Sequence, residues 1–251
     1  DGSTHWSSRK LAAELGDVSF SAVQRIWRKH GVRPHRLDTH MVSDDPDFEA
    51  KAAEVIGLYL QPPEHAIVFC VDEKTAIQAL DRKDRQLPLS PGRAQSHGFE
   101  YKRNGTLSLF AALNTATGEV VGKTAQRHTS EQFVRFLEDI VADHAEDQQI
   151  HVICDNVSSH KTALVQTWLL LTPNVHIHYT PTYSSWLNQV EIWFAKIQRD
   201  VIARGIFPST KDLDKKIMRY IREHNKHSKP IRWKYANPKH RITSNLIDSV
   251  N

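Results

Sequence analysis

An α/β fold with a mixed sheet and helices on both faces is predicted by three features of this 251-residue chain. Short apolar runs alternate with amphipathic stretches in the order β-β-β-α-β-α-β-α, which favours a layered sheet with helices around it. Only the turn at 115–118 separates the second strand from the third, which is typical of a hairpin. A hydrophobic fraction of 39% with six tryptophans supports a substantial core.

Each predicted element follows from a local pattern. Strands are expected over 67–72, 106–114, 119–124, 150–155 and 175–179. Helices are expected over 44–60, 130–145, 162–171, 185–205 and 210–226. Apolar stripes mark the buried faces of three of these helices: Phe48, Ala52, Val55, Ile56 and Tyr59; Phe133, Phe136, Leu137, Ile140 and Val141; and Val190, Phe194, Ile197 and Val201.

The first 36 residues are predicted to form two helices joined by a tight turn. A serine at position 7 or 8 caps the first helix, and the second spans 20–30 and ends at Gly31. One face of the second helix is apolar, with Val23, Ile26 and Trp27. This pattern is typical of a helix-turn-helix, whose second helix enters the major groove of DNA, although an ordinary helical hairpin shares it.

The opposite face of that second helix carries side chains suited to base edges and phosphates, namely Ser21, Gln24, Arg25 and Arg28. The helix cannot continue through Pro34. We therefore expect Arg33 and Arg36 either in an extended arm along a minor groove or in a plain basic linker.

Charge is distributed unevenly along the chain. Residues 1–36 carry a net charge of +4, residues 37–191 carry −9 and residues 192–251 carry +9. An acidic centre between basic ends fits a cation-binding core with nucleic-acid-binding flanks, although charge blocks also occur on ordinary solvated surfaces. We expect four segments: the helix-turn-helix at 1–36, a linker and helix at 37–64, the main α/β domain at 65–207, and a basic C-terminal helix and tail at 208–251.

Cysteine content and hydropathy favour a cytoplasmic protein. There are two cysteines, no apolar run near the roughly 18–20 residues that a membrane helix needs, and a polar start without a secretory signal. Cys70 and Cys154 are predicted to point to opposite sheet faces and to form no disulfide. Because the chain begins without Met, we expect it to be part of a longer protein.

Three acidic residues stand out against apolar surroundings. Asp72 ends the run 67–71, Asp155 ends the run 151–154, and Glu191 lies within the helical stretch 186–194. A buried acid is costly unless it is paired or binds a cation. With the first and fourth strands adjacent and the helix over them, the three carboxylates would meet at one sheet edge. Such a site suits Mg²⁺, and two ions about 3.5–4 Å apart would suit phosphoryl transfer.

Each acid also has an ordinary structural interpretation. Asp72 precedes Glu73 and Lys74 and fits a surface turn, Asp155 with Asn156 fits a turn or helix cap, and Glu191 fits an exposed helical position. The shared location of the three in the predicted topology favours the metal site.

Three short segments resemble the motifs of DDE transposases, most closely the bacterial insertion-sequence branch of the mariner superfamily. These segments are 68–74, 153–161 and 185–191, and 35 residues separate Asp155 from Glu191, similar to mariner-type spacing. The resemblance extends from the predicted helix-turn-helix to Arg232 and Trp233. Only one helix-turn-helix is visible where the family usually has two, so we expect a missing N-terminal portion. Gln189 and Glu191 stand where animal mariner relatives often have Pro and Asp.

The resemblance implies a ribonuclease-H-like fold, with Mg²⁺ or Mn²⁺, as two ions, held by Asp72, Asp155 and Glu191. It implies double-stranded DNA as the partner, cleavage at transposon ends, and attack of the released 3′-hydroxyl on target DNA, commonly at TA. It further implies a homodimer in the DNA complex and association with the bacterial nucleoid. Asn156, His160 and Asn188 match motif positions and are expected either to position substrate or carboxylates or to have structural roles.

Two other functions fit parts of the sequence. A DNA-binding regulator with an inactive nuclease-like domain would use the helix-turn-helix alone, and failure to bind divalent metal would favour it. A nuclease acting on RNA or branched DNA would keep the acids, and comparing cleavage of duplex, hybrid and branched substrates would reveal it.

Overall fold

Five strands form a single sheet within the residues that the computed structural model describes, which are 6–32, 34, 43–82, 90–92 and 100–234. They are Ala66–Arg82 (β1), Tyr101–Asn114 (β2), Val120–Ala125 (β3), Gln149–Cys154 (β4) and Val175–Tyr179 (β5). The spatial order is β3-β2-β1-β4-β5. β2 is antiparallel to β1 and β3, whereas β4 is parallel to β1 and β5. The predicted mixed sheet is confirmed, and its first and fourth strands are neighbours.

The helices are Ser8–Leu15 (α1), Phe20–Lys29 (α2), Phe48–Leu60 (α3), Ser130–Ala142 (α4), Ala163–Leu171 (α5), Val190–Ile197 (α6) and Thr210–Asn225 (α7). Short 3₁₀ turns occur at Ser158–Lys161 and Ser185–Leu187. No helix in the described ranges is long and apolar enough to cross a membrane. The chain divides into two compact units, Asp1–Met41 and Val42–Asn251.

Side-chain alternation along β1 separates the core of the larger unit into two layers. Val68 and Cys70 face the layer that contains α3, α6 and α7. Phe69 and Val71 face the layer that contains α4 and α5. Helices therefore cover both faces of the sheet, as predicted. Cys70 and Cys154 lie in different layers as free thiols, which confirms that they form no disulfide.

β1 is much longer than the predicted strand 67–72. It continues to Arg82 because its second half pairs with β2, with an irregular register between Lys74 and Ile77, where Ala76 has a φ of 53°. Its pairing with β4 ends at Cys70. Asp72 therefore does not end a strand. It lies two residues beyond Cys70, the last residue of β1 that pairs with β4, while it still pairs with Ala111 of β2. The place outside the carboxyl ends of these parallel strands, where β1 and β4 part, is called the crevice.

The single helix predicted over 185–205 is wrong. The segment contains the turn Ser185–Leu187, then α6, then a π-helical turn at Gln198–Ile202. Asn188 breaks the first part, because its backbone is extended (φ −86°, ψ 108°) and its side chain bonds to the backbone of β1. An apolar stripe gives no signal of such a break, since Val190, Phe194 and Ile197 are still buried. The other predicted helices and strands are present, with ends that shift by a few residues.

The N-terminal unit consists of α1 packed against α2. The Ser7 hydroxyl accepts a hydrogen bond from the Lys10 N–H, and that of Ser19 from the Ala22 N–H, so a serine caps each helix. Gly16, with a φ of 76°, forms the turn between them.

The predicted apolar face of α2 is only partly correct. Val23 is buried and Trp27 half-buried, but Ile26 is 51% exposed. The eight-residue α1 is too short to cover more than the stripe through Val23 and Trp27. Arg33 and Arg36 lie outside the described residues, so the basic arm stays a prediction.

Candidate active site

Asp72 is the most buried acid of the crevice. It points into the α6 layer, as Cys70 does two residues earlier, and is 8% exposed. One carboxylate oxygen, Oδ1, accepts a hydrogen bond of 2.7 Å from the Glu73 N–H. Burial, followed by the negative charge of Asp155, raises the pKa of Asp72 to about 8. The sheet thus holds this carboxyl in a position where a negative charge is unfavourable without a cation nearby.

Asp155 directly follows β4 and lies across the crevice from Asp72. Its Oδ1 is 2.9 Å from Nδ1 of His160 but lies off the direction of the ring N–H. That N–H donates instead to the backbone carbonyl of Asp155, at 3.4 Å. Oδ1 is buried and accepts no aligned hydrogen bond from the described residues. The Asp155 side chain is 26% exposed, so its carboxylate is accessible to a cation as well as close to the His160 ring.

Glu191 is brought to the crevice by the first turn of α6. Burial raises its pKa, Lys74 opposes that rise, and the charge of Asp155 adds to it. Asn188 sets the place of this turn: its Nδ2 donates to the Val71 carbonyl at 2.9 Å, and its Oδ1 accepts from the Val190 N–H at 3.4 Å. The side chain of Asn188 thereby ties the start of α6 to β1, next to Asp72.

His160 is completely buried beneath the crevice. Its Nε2 donates to Oε2 of Glu73 at 3.1 Å, while Nδ1 faces Asp155. Burial alone would lower its pKa, but the interactions with Asp155, then with Cys154 and Glu73, outweigh burial and raise the pKa of His160 to about 12. The ring is therefore a cation between two carboxylates at neutral pH.

Asn156 is less buried than His160 and Asn188, the other two residues that match motif positions. It is half-buried, its Nδ2 donates to the Thr182 hydroxyl at 3.3 Å, and its Oδ1 accepts from the Lys161 ammonium. Of the three residues, only Asn156 is accessible enough to contact a substrate, whereas His160 and Asn188 are enclosed. For those two, a role in holding the acids fits the contacts better than a role in binding substrate.

The three acids share one electrostatic environment without forming a closed cage. The charges of Asp155 and Glu191 both contribute to the raised pKa of Asp72, which requires them to be near it. Among the described residues, no three histidine, cysteine, aspartate or glutamate side chains are placed to enclose a metal ion. The mutual repulsion of the acids nevertheless fits Mg²⁺ or Mn²⁺, which favour carboxylate ligands.

The predicted DNA-contact residues of α2 belong to the other compact unit. Ser21, Gln24, Arg25 and Arg28 are all exposed. Their accessibility is what contact with DNA requires, and it is equally found on any solvated helix face. Their role therefore stays a proposal.

Glu73 is the site residue that the sequence analysis missed. As the neighbour of Asp72 on a strand, it points to the opposite sheet face, where His160 lies against Phe133. Strand alternation could have indicated this role, because it turns Glu73 toward a buried layer, where an acid requires a partner. The identity of that partner, 87 positions away in the chain, was not available from local pattern.

The raised pKa of Asp72 leads to a stability prediction for the metal-free protein. Folding raises the pKa of Asp72 from 3.8 to about 8. The contribution of this carboxyl to the free energy of unfolding is therefore complete below about pH 4, and it is lost as the pH rises through 8. In EDTA, Asp72→Asn should be more stable than wild type at pH 8, by on the order of a few kcal/mol, with a smaller gain at pH 5. Urea denaturation at both pH values measures this, and an equal effect at both would contradict it.

The sheet order, with acids at the crevice between its two central parallel strands, defines a ribonuclease-H-like α/β protein. Residues 67–214 match the family described as DDE superfamily endonuclease. The chain belongs to this family, and the resemblance to DDE transposases is confirmed.

Particular relatives extend the comparison. The chain is 26% identical, over 209 residues, to the 39 kDa protein of insertion element IS630 from Shigella sonnei, a match that covers 80% of this chain and 59% of that protein. Its fold is similar to the mariner Mos1 paired end complex with Mg (TM-score 0.61, 18% identity, 86% of this chain and 66% of that one). It is also similar to the Mos1 strand transfer complex (TM-score 0.58, 17% identity, 86% and 66%). The chain thus spans less than two thirds of the length of these relatives.

Proposed function

We propose that this chain is a DNA transposase that cleaves DNA at transposon ends and joins the released 3′-hydroxyl to target DNA. The observation that carries the proposal is that Asp72 and Asp155 lie where the pairing of the neighbouring strands β1 and β4 ends, while Asn188 ties the first turn of α6, with Glu191, to β1. The raised pKa values of Asp72 and Glu191 fit this arrangement. Membership of the DDE superfamily endonucleases supports the same chemistry. The similarity to the IS630 protein and to Mos1 supports an insertion-element source. Joining at TA is part of the proposal because the resemblance to mariner-type motifs implies it.

Asp72, Asp155 and Glu191 are the proposed ligands of two Mg²⁺ or Mn²⁺ ions. Structures of Mos1 paired end complexes with Mg and with Mn support this choice of metal. When bound, such ions supply Lewis-acid stabilisation of the phosphate charge and a reactive oxygen nucleophile at neutral pH.

The chain's own groups have distinct tasks in this proposal. Asp155 offers its partly exposed carboxylate to a cation, Asn188 fixes the turn that carries Glu191, and the Lys74 ammonium lies close enough to influence Glu191. In both cleavage and joining, one P–O bond forms as another breaks, with water or the 3′-hydroxyl as nucleophile and a 3′-oxygen as leaving group. The protein's contribution is to hold the phosphodiester and the charges around it in place.

Double-stranded DNA is the proposed partner, as both transposon end and target. The net charge of +9 over residues 192–251, which include the basic helix α7, favours attraction of DNA to the larger unit. A homodimer in the DNA complex is proposed because two transposon ends require two active sites held together. In the N-terminal unit, α1 and α2 are proposed as the helix-turn-helix that reads the end sequence.

Cleavage of defined DNA tests the proposal. The full chain is incubated with labelled duplexes that carry the terminal repeats flanking its own gene, in Mg²⁺, Mn²⁺ or EDTA, beside an RNA–DNA hybrid and a branched duplex of matching sequence. We expect metal-dependent nicking at the repeat end of the duplex. Binding without cleavage in either metal would favour the regulator, and preference for hybrid or branched DNA would favour the other nuclease.

Replacing Arg28 with alanine tests the helix-turn-helix separately. An exposed arginine that contacts a phosphate contributes to affinity and releases about one counterion. We expect weaker binding to the end duplex, and a smaller slope of log affinity against log salt, by about 0.9, in fluorescence anisotropy titrations. Arg135→Ala, at an exposed position of α4, is the control. Equal affinity and slope for wild type and Arg28→Ala would argue against this role.

A further inference from the structure

Glu73 and Asp155 lie on either side of the buried ring of His160. Glu73 follows Asp72 in β1 and faces the opposite side of the sheet, where its Oε2 accepts a 3.1 Å hydrogen bond from Nε2 of the ring. Nδ1 donates to the backbone carbonyl of Asp155 at 3.4 Å and lies 2.9 Å from its Oδ1. The imidazole therefore links β1 to the residue that follows β4, at the level where the two strands stop pairing.

The surroundings of His160 leave its ring no freedom to turn. Phe133 of α4 stacks on it with ring centroids 4.1 Å apart, and the side chain has no solvent exposure. The Tyr179 hydroxyl donates to the His160 backbone carbonyl at 2.9 Å, which fixes the main chain as well. Because the ring cannot turn, the place of the Glu73 carboxylate and that of the Asp155 carboxylate depend on each other.

Asp155 has little else to orient it. Its side chain is 26% exposed, and its buried Oδ1 has no aligned hydrogen bond within the described part of the chain. The His160 ring lies 2.9 Å from this oxygen, and its Nε2 is bonded to Glu73. A ligand carboxylate is effective only when its direction is set before the ion arrives, and outer contacts of this kind supply that direction.

We propose that Glu73 is a positioning residue that acts through His160 to hold the carboxylate of Asp155 in the orientation that binds a divalent ion. This inference rests on the proposed function, in which Asp155 is a metal ligand. Glu73 itself faces away from the crevice and touches neither metal nor DNA. The motif at β1 thus contributes two acids with different tasks. Asp72 binds the metal, and Glu73 orients Asp155 through His160.

Binding of Mn²⁺ to the full chain, measured by titration calorimetry without DNA, tests the inference apart from catalysis. Glu73→Gln should weaken Mn²⁺ binding by about 10–100-fold, the usual effect of removing an outer contact of a metal ligand. Glu73→Asp keeps the negative charge, but its shorter side chain does not reach His160. We expect it to weaken Mn²⁺ binding to a similar extent. Glu223→Gln, which removes an exposed glutamate paired with Lys226 on α7, is the matched control and should bind as wild type does.

A double-variant comparison shows whether Glu73 acts through His160. If it does, Glu73→Gln should cause no further loss of Mn²⁺ affinity in a His160→Gln background, whereas independent effects would multiply. Melting curves in EDTA establish that each variant is folded. Wild-type Mn²⁺ affinity in Glu73→Gln, full affinity in Glu73→Asp, or multiplying effects would each overturn the inference.

The failure of the proposed function gives a different result. If wild type binds Mn²⁺ and Glu73→Gln binds it weakly, but neither cleaves DNA, the positioning role stands and transposition does not. If wild type cleaves DNA and Glu73→Gln has unchanged metal affinity and unchanged cleavage, the proposed function stands and the positioning role is lost.

Discussion

Asp155→Asn is expected to lower metal-dependent cleavage of end DNA on the order of 10³-fold, while its affinity for the same DNA stays near that of wild type. Asparagine keeps the size of the side chain but removes the negative charge of this partly exposed carboxylate. Loss of several kcal/mol of charge stabilisation corresponds to this factor. Single-turnover cleavage rates and anisotropy titrations measure the two quantities.

The control for this variant is Asp139→Asn. Asp139 is a half-exposed aspartate of α4 that pairs with Lys123 away from the crevice, so its loss should leave cleavage unchanged. If Asp155→Asn cleaved at the rate of Asp139→Asn, Asp155 would not be a metal ligand.

His160→Ala is expected to destabilise the fold by roughly 3–5 kcal/mol, because it leaves Glu73 and Asp155 without their shared cationic partner and opens a cavity against Phe133. Urea denaturation at pH 7 in EDTA measures the free energy of unfolding. A loss of this size is a large part of the stability of an ordinary domain.

His176→Ala provides the comparison for His160. His176 lies at an exposed position of β5 and bonds to the side chain of Gln149 at 2.7 Å. We expect its replacement to cost less than about 1 kcal/mol. Equal destabilisation by the two substitutions would show that the buried imidazole does not hold the two carboxylates together.

Most of the larger unit could be predicted from local patterns. Apolar runs and amphipathic stripes were sufficient for the order of strands and helices, and strand alternation put Cys70 and Cys154 on different faces. The same alternation gives Asp72 the sheet face of Cys70, two residues earlier. These features depend on periodicity, which a single sequence contains.

Features that depend on distant partners could not be predicted. β1 continues past Asp72 through charged residues because β2 pairs with it, and local polarity had suggested a turn there. The helix over 185–205 breaks at Asn188 because its amide bonds to Val71, far away in the chain. Glu73 was passed over because its partner, His160, is brought to it only by the folded sheet.

Cleavage of end DNA in Mg²⁺ by wild type and by Glu191→Ala tests the central claim most directly. Both proteins are compared in single-turnover reactions on the same labelled duplex, with matched melting temperatures in EDTA. We predict strand nicking at the repeat end by wild type, none in EDTA, and a loss on the order of 10³-fold in Glu191→Ala. Equal Mg²⁺-dependent cleavage by the two proteins would contradict the account, since the acid carried by α6 would then have no part in the reaction.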